Sequence, residues 1–180
     1  PLPMIHGLSV GELALYANAA YGIGARLTVA RCGNYTRDQW FDETLLPWVN
    51  PSPNLRSLTA ATLYPALGML ERCALSVGRG TDRPFEVLGA PWLDAAEAAR
   101  ALADLQLPGL EFAPAEFTPE SREFAGEVCR GCSVRLVDRE AYRPVEAGLR
   151  IARAIETRWP GRLNIEAMGG LLGDREGVAM

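Results

Sequence analysis

Apolar residues in this sequence change period repeatedly, from helical spacing to strand alternation and back, and that interleaving is the strongest constraint on the fold. Ser9-Val10-Gly11-Glu12 has the pattern of a capping box, which predicts a helix from Val10 that Gly22 and Gly24 bring to an end. Residues 26–30 alternate around Leu27 and Val29 as a short strand would. Residues 58–72 return to helical spacing through Leu63, Leu67 and Leu70, with Pro65 expected to kink or split the helix. Residues 85–88 read as a strand, and Asp94 with Glu97 repeats the cap geometry before an Ala-rich helix to about Leu105. Residues 110–117 and 133–137 read as further strands. Pro144 suits a first helical position, ahead of a stripe of Val145, Leu149, Ala152 and Ile155 that runs up to Trp159. Strands and helices in this order bury sheet faces under helices, so the expected class is α/β (α+β): a layered domain with helices packed on a mixed sheet.

One segment departs from this pattern. Residues 33–58 are rich in Asn, Pro, Trp, Asp and Arg, and Pro47, Pro51 and Pro53 forbid a long regular element there. Tyr35, Trp40, Phe41 and Trp48 favour an ordered loop, because disordered segments are poor in aromatics. The expected fold therefore carries a long Trp/Pro-rich loop.

Composition excludes several classes. Eighteen basic residues against 22 acidic ones give a net charge of −4, the wrong sign for a phosphate-backbone partner, and no nucleic acid is expected. Every basic residue is Arg, a bias that fits GC-rich coding. No apolar run reaches the roughly 20 residues of a membrane span. Cys32, Cys73, Cys129 and Cys132 include one C-x-x-C pair but no second pair, and His6 is the only histidine. Zinc would require Cys32 and Cys73 to converge on that pair, and a redox C-x-x-C opens a helix where this one leads into a strand. Buried thiols are the simpler expectation, with no metal and no cofactor. Pro1 is not an initiator, and the sequence stops within a helical pattern after Gly173-Asp174-Arg175-Glu176, so a piece of a longer protein is expected.

Three places could hold chemistry. In residues 76–86 (S-V-G-R-G-T-D-R-P-F-E), glycines allow close approach of a ligand, Arg79 and Arg83 offer forked donors to a carboxylate, and Glu86 can accept hydroxyls or transfer a proton. The alternative is a surface turn with Arg and Glu paired. Around Trp40, Asp42, Glu43, Trp48, Asn50 and Asn54, indole rings beside Asp and Asn suit a sugar, which offers both an apolar face and hydroxyl edges. The alternative there is a Trp-anchored structural loop. His6, just ahead of the first helix, is either a local cap or a substrate contact. Trp92 is expected in the core.

Taken together, P-L-P-x-x-H-G at the start, R-D-x-W-F-D-E-T and P-W-V-N-P-S-P-N in the loop, and S-V-G-R-G-T-D-R-P-F-E-x-x-G-A-P-W closely resemble the exo-β-N-acetylmuramidase (NamZ-type) family. F-x-P-x-x-F-T-P from Phe112, C-x-G-C ending at Cys132 and V-D-R-x-x-Y-x-P-V around Asp138 follow the same family order. The resemblance implies a glycoside hydrolase that removes terminal N-acetylmuramic acid from the non-reducing end of peptidoglycan fragments, without metal or nucleotide. It implies a two-part protein in which residues 1–180 form one domain of the C-terminal half. A Rossmann-like N-terminal half, carrying most of the catalytic carboxylates, and a C-terminal continuation would both be absent. The partners implied are peptidoglycan-derived amino sugars and that missing half, at an extracytoplasmic location.

Muramic acid differs from N-acetylglucosamine by a lactyl ether bearing an ionised carboxylate, so a bidentate Arg is its natural selector. Arg79 is the first choice and Arg83 the second, with Thr81 in the same turn. Trp48 or Trp40 would cover a sugar face, and Asn50, Asn54, Asp42, Glu43 and Glu86 would take polar contacts. Glu86 and His6 are the catalytic candidates. A non-catalytic carbohydrate-binding or lid module and an interaction domain remain as alternatives.

Overall fold

The structure, a computed structural model, describes residues 2–172. The helical turn expected at residues 173–176 lies outside them. Two compact units divide the chain at residues 47 and 48.

In the first unit, Ser9 and Glu12 form the expected capping box. The Ser9 Oγ accepts from the Glu12 amide at 3.3 Å and the Glu12 carboxylate accepts from the Ser9 amide at 2.8 Å, opening helix α1 at Val10–Ala20. Arg37 donates to the Glu12 carboxylate at 2.7 Å and to the Gly7 carbonyl. Asn18 bonds both the amide (2.8 Å) and the carbonyl (3.0 Å) of Ala25, turning the chain back along α1. The expected strand at residues 26–30 does not form. Alternation alone does not make a strand, which needs a neighbour for its backbone groups, and Val29 instead lies against Gly11 of α1. A short 3-10 turn at Phe41–Thr44 gives the aromatic loop its one regular element among the described residues.

The second unit holds the core. Helix α2, Leu58–Leu67, starts at Ser57, whose Oγ accepts from the Ala60 amide at 3.0 Å. It runs through Pro65 and tightens into a 3-10 turn at Gly68–Leu70. Strand β1 (Val87–Ala90) leads through Asp94-capped helix α3 (Ala95–Ala103) to β2 (Leu110–Phe117), and β3 (Cys129–Leu136) follows. The sheet order is β1-β3-β2, with β3 antiparallel to both neighbours. Thus β1 and β2 run parallel with a slot between them, crossed by α3 and filled by β3, a split βαβ arrangement. The α+β class holds. Where a mixed sheet was expected, every hydrogen-bonded pair among the described strands is antiparallel, because β3 separates the two parallel strands.

Helix α3 packs on β2 and β3, while α4 (Pro144–Arg158) packs on α2 and α3. Pro144 starts α4 as expected, but its buried face is Ala147, Gly148, Ile151, Ala152 and Ile155, and Leu149 is exposed. The stripe is rotated because Gly148 is an interface residue: a Cβ there would meet Met69 Cε at 2.2 Å and the Ala66 carbonyl at 2.7 Å, so only glycine admits α2 this close. Leu63, Leu67, Leu70, Leu88, Leu102 and Ile151 fill the space between helices and sheet. Trp92 sits at the edge of that core, its ring meeting Trp159 edge-on at 6.4 Å. Helix α5, Glu166–Leu172, was not foreseen from the sequence.

Candidate functional site

The Arg79 loop is held by the sheet. Ser76 bridges Gly89 of β1 through paired backbone bonds of 2.8 and 2.9 Å, and the Phe85 amide returns to the Val77 carbonyl at 2.8 Å. Between those points the chain turns at Gly78 and Gly80, both at positive φ. The Thr81 hydroxyl donates to the Gly78 carbonyl at 2.7 Å and accepts from the Arg83 amide at 3.0 Å. Thr81 therefore shapes this turn as well as lining the cleft beside it.

That cleft measures about 1080 Å³, above the usual small-ligand range. Arg79, Thr81 and Asn54, all expected site residues, line it together. Arg56, Phe117, Glu120 and Arg122 also line it and were not foreseen. Phe117 supplies the aromatic surface here. The second wall comes from residues 118–122, brought over by the Glu120 amide bonding the Gly80 carbonyl at 2.9 Å. Gly80 is required at that contact, since a Cβ would lie 2.6 Å from the Ser121 amide nitrogen. The only sequence signal was proximity, because Glu120-Ser121-Arg122 directly follows the F-T-P motif.

Arg79 is not an open fork. Its Nη1 donates to Glu71 at 2.7 Å, with both side chains largely shielded from water, and its Nε is buried without a partner among the described residues. Glu71 thus fixes where the guanidinium points.

Arg83 and Glu86 fall elsewhere, on a cleft of about 480 Å³ with Thr59, Glu111 and Arg135. The Glu86 carboxylate accepts from the Ser57 hydroxyl at 3.3 Å, tying it to the cap of α2. One continuous stretch of sequence therefore serves two cavities. Trp48 is half-buried and its indole N–H donates to the Leu55 carbonyl at 3.2 Å, while Asn50 is exposed and is not among the described residues lining either cleft.

The remaining candidates lie in the first unit. His6 is exposed, with Nδ1 accepting from the Leu8 amide at 3.0 Å, a local turn contact. Asp42 and Glu43 sit in the 3-10 turn beside Trp40, where Glu43 accepts from the Trp40 amide at 2.9 Å.

Cys73, Cys129 and Cys132 are buried and free, and Cys32 is exposed. Burial pushes Cys73 and Cys129 up to about 11 and Cys132 to about 12, so all three stay protonated at neutral pH. Cys129 and Cys132 are an odd number of positions apart on β3 and emerge on opposite faces of the sheet. Among the described residues no group of His, Cys, Asp or Glu is placed to hold a metal ion, and no helix is long and apolar enough to cross a membrane.

Residues 62–178 match the profile described as "Exo-beta-N-acetylmuramidase NamZ, C-terminal". The chain belongs to the NamZ exo-β-N-acetylmuramidase family. Residues 1–59 match the profile described as the N-terminal part of NamZ, so the His6 and Trp40 segments fall in one match and the Arg79 loop in the other. Peptidoglycan beta-N-acetylmuramidase NamZ of Bacillus subtilis (strain 168) is 39% identical over 160 residues, covering 89% of this chain and 39% of that protein. Two crystal structures of DUF1343 family proteins from Bacteroides fragilis NCTC 9343 are similar in fold to this chain. One has a TM-score of 0.87 at 27% identity, covering 97% of this chain and 48% of the other. The second has a TM-score of 0.73 at 26% identity, covering 99% and 49%. The chain spans less than half the length of each of these relatives.

Proposed function

We propose that this chain is part of a peptidoglycan-degrading exo-β-N-acetylmuramidase that releases terminal N-acetylmuramic acid from the non-reducing end of peptidoglycan fragments. The observation that carries this reading is the match of residues 62–178 to the NamZ family. The Arg79 cleft supports it chemically. A muramic acid presents an ionised lactyl carboxylate, an acetamido group and an apolar ring face, and the cleft offers Arg79, Asn54 and Phe117 respectively. Glu71 holds the Arg79 guanidinium in place, so little side-chain freedom is lost when a carboxylate arrives.

Glu86 and His6 stand as the candidate groups for proton transfer, with Trp40, Trp48, Asn50, Asp42 and Glu43 as further sugar contacts and Arg83 as the second carboxylate donor. Peptidoglycan lies outside the cytoplasmic membrane, and its place as substrate supports an extracytoplasmic location for the protein. A second reading, a non-catalytic binding or lid module for amino sugars, draws on the same cleft.

One experiment separates the two. Incubation with a muramoyl-glucosamine disaccharide is followed by NMR for sugar contacts and for free muramic acid. Release establishes a hydrolase, contacts without release establish the binding module, and the absence of both contacts and release would sink both readings. Arg79→Ala is expected to weaken muramoside binding by about tenfold to a hundredfold, the worth of a charged hydrogen bond. Unchanged affinity in a folded variant removes Arg79 from the site.

A further inference from the structure

The geometry points to Arg122 as a second carboxylate-reading residue of the cleft, acting beside Arg79 on the lactyl carboxylate and setting the preference for an acidic over a neutral amino sugar. This rests on the amino-sugar reading above.

Arg79 alone is a poor attractor. Glu71 at 2.7 Å neutralises most of its charge, so an incoming carboxylate meets an ion pair and not a free cation. Asp82 and Glu120 on the same walls add repulsion. Selection of an anion there requires another guanidinium. Arg56 and Arg122 are the remaining arginines lining the cleft, and they differ in two respects. Arg56 has its Nε tied to the Pro53 carbonyl at 3.2 Å. Neither makes an ion pair among the described residues, but the Arg122 side chain has no hydrogen bond there either, and together with Arg79 it lines both the cleft and a smaller pocket of about 270 Å³ that Glu71 also lines. The two arginines therefore stand at the wall shared by these cavities.

The backbone holds the Arg122 loop against the Arg79 loop. Arg122 has φ +76°, a left-handed conformation that a long side chain adopts only when its surroundings impose it. Here they do. The Glu120 amide bonds the Gly80 carbonyl, the Gly126 amide bonds the Pro119 carbonyl at 2.8 Å, and Gly80 lies flush on Ser121. The Glu120–Gly80 bond and the Gly80–Ser121 contact fix this loop to the Arg79 loop. Two forked donors on loops locked together are prepared to grip one carboxylate before it arrives.

The test measures calorimetric affinity of the intact protein for N-acetylmuramic acid, for its lactyl methyl ester, and for N-acetylglucosamine. The ester keeps the shape and removes the charge. In the unaltered protein the acid is expected to bind more tightly than the ester. Arg122→Gln is expected to lower affinity for the acid about tenfold while leaving the two neutral sugars unchanged. Arg122→Lys restores part of the loss, because it returns the charge without the fork. Arg72→Gln, on the smaller pocket only, leaves the preference intact. Arg122→Gly suits the positive φ and serves as a second truncation, with thermal melting confirming that each variant is folded. If the acid-to-ester ratio survives Arg122→Gln and Arg122→Gly, or if all three sugars weaken equally, Arg122 is not the selector while the amino-sugar reading stands. If the unaltered protein binds none of the three, that reading fails and takes this one with it.

Discussion

Helix α1 has a complete capping box, and none of its residues is buried; helix α4 has no side-chain cap, and five of its residues are buried. The contrast extends to the units that contain them. Among residues 2–47 none is buried, and Val10, Leu45, Ile23 and Tyr21 are well exposed. Residues 48–172 enclose a continuous core of leucine, alanine, isoleucine and methionine. Local hydrogen bonds can thus define a helix's start without any tertiary burial, whereas a helix that closes a core can dispense with the cap. Capping contributes about 1 kcal/mol, while a fully buried aliphatic side chain contributes roughly 2–3 kcal/mol.

Three measurements bear on that contrast. Leu67→Ala should have the largest effect, lowering the stability of residues 48–172 by about 2–5 kcal/mol through the cavity left between α2 and the rest of the core. Denaturant unfolding followed by hydrogen exchange should show β3 and α4 losing protection while α1 exchange is unchanged. A joint loss of protection would mean that the two units unfold as one, and the contrast would be broken. Ser9→Ala should cost α1 about 1 kcal/mol of helix stability, read from its amide exchange, without moving the melting midpoint of the core.

The smallest effect is a pH dependence of α1. The Arg37 hydrogen bond, helped by the Ser9 amide and hydroxyl, holds the Glu12 carboxyl down at about 2, well below its ordinary value of 4.5. A depressed carboxyl contributes stability that is complete above the unfolded value and is lost as the pH falls through the folded one. The helix start should therefore loosen between about pH 4.5 and pH 2, by a modest amount given the exposure of both partners. An NMR titration in which Glu12 protonates at its ordinary value would show that the Arg37 contact is absent in solution.

Much of the fold was legible because its signals are local. The caps at Ser9 and Asp94, Pro144 at the start of α4, and the alternation in β2 and the C-terminal part of β3 each announce themselves within a few residues. What was not legible depends on partners distant in sequence. Residues 26–30 alternate like a strand but have no pairing neighbour among the described residues. The face of α4 turns on Gly148, whose role exists only because Ala66 and Met69 lie against it. Residues 169 and 170 are both glycine, which hid α5. The site divides in the same way. Arg79, Thr81 and Asn54 fall on one cleft as their types suggested, but the turn between Gly80 and Pro84 sends Arg83 and Glu86 to another. Arg56, Phe117 and Arg122 join the first cleft because backbone contacts assemble it, and no motif spacing encodes that.

The C-x-x-C of β3 has a consequence for where such a domain can work. Along a strand at about 3.3 Å per residue, its two sulfur-bearing positions are roughly 10 Å apart, on opposite sides of the sheet. A disulfide requires Cα atoms within about 7 Å and side chains that converge. The two sulfurs therefore cannot close a disulfide with each other while β3 is paired, in oxidising and reducing surroundings alike.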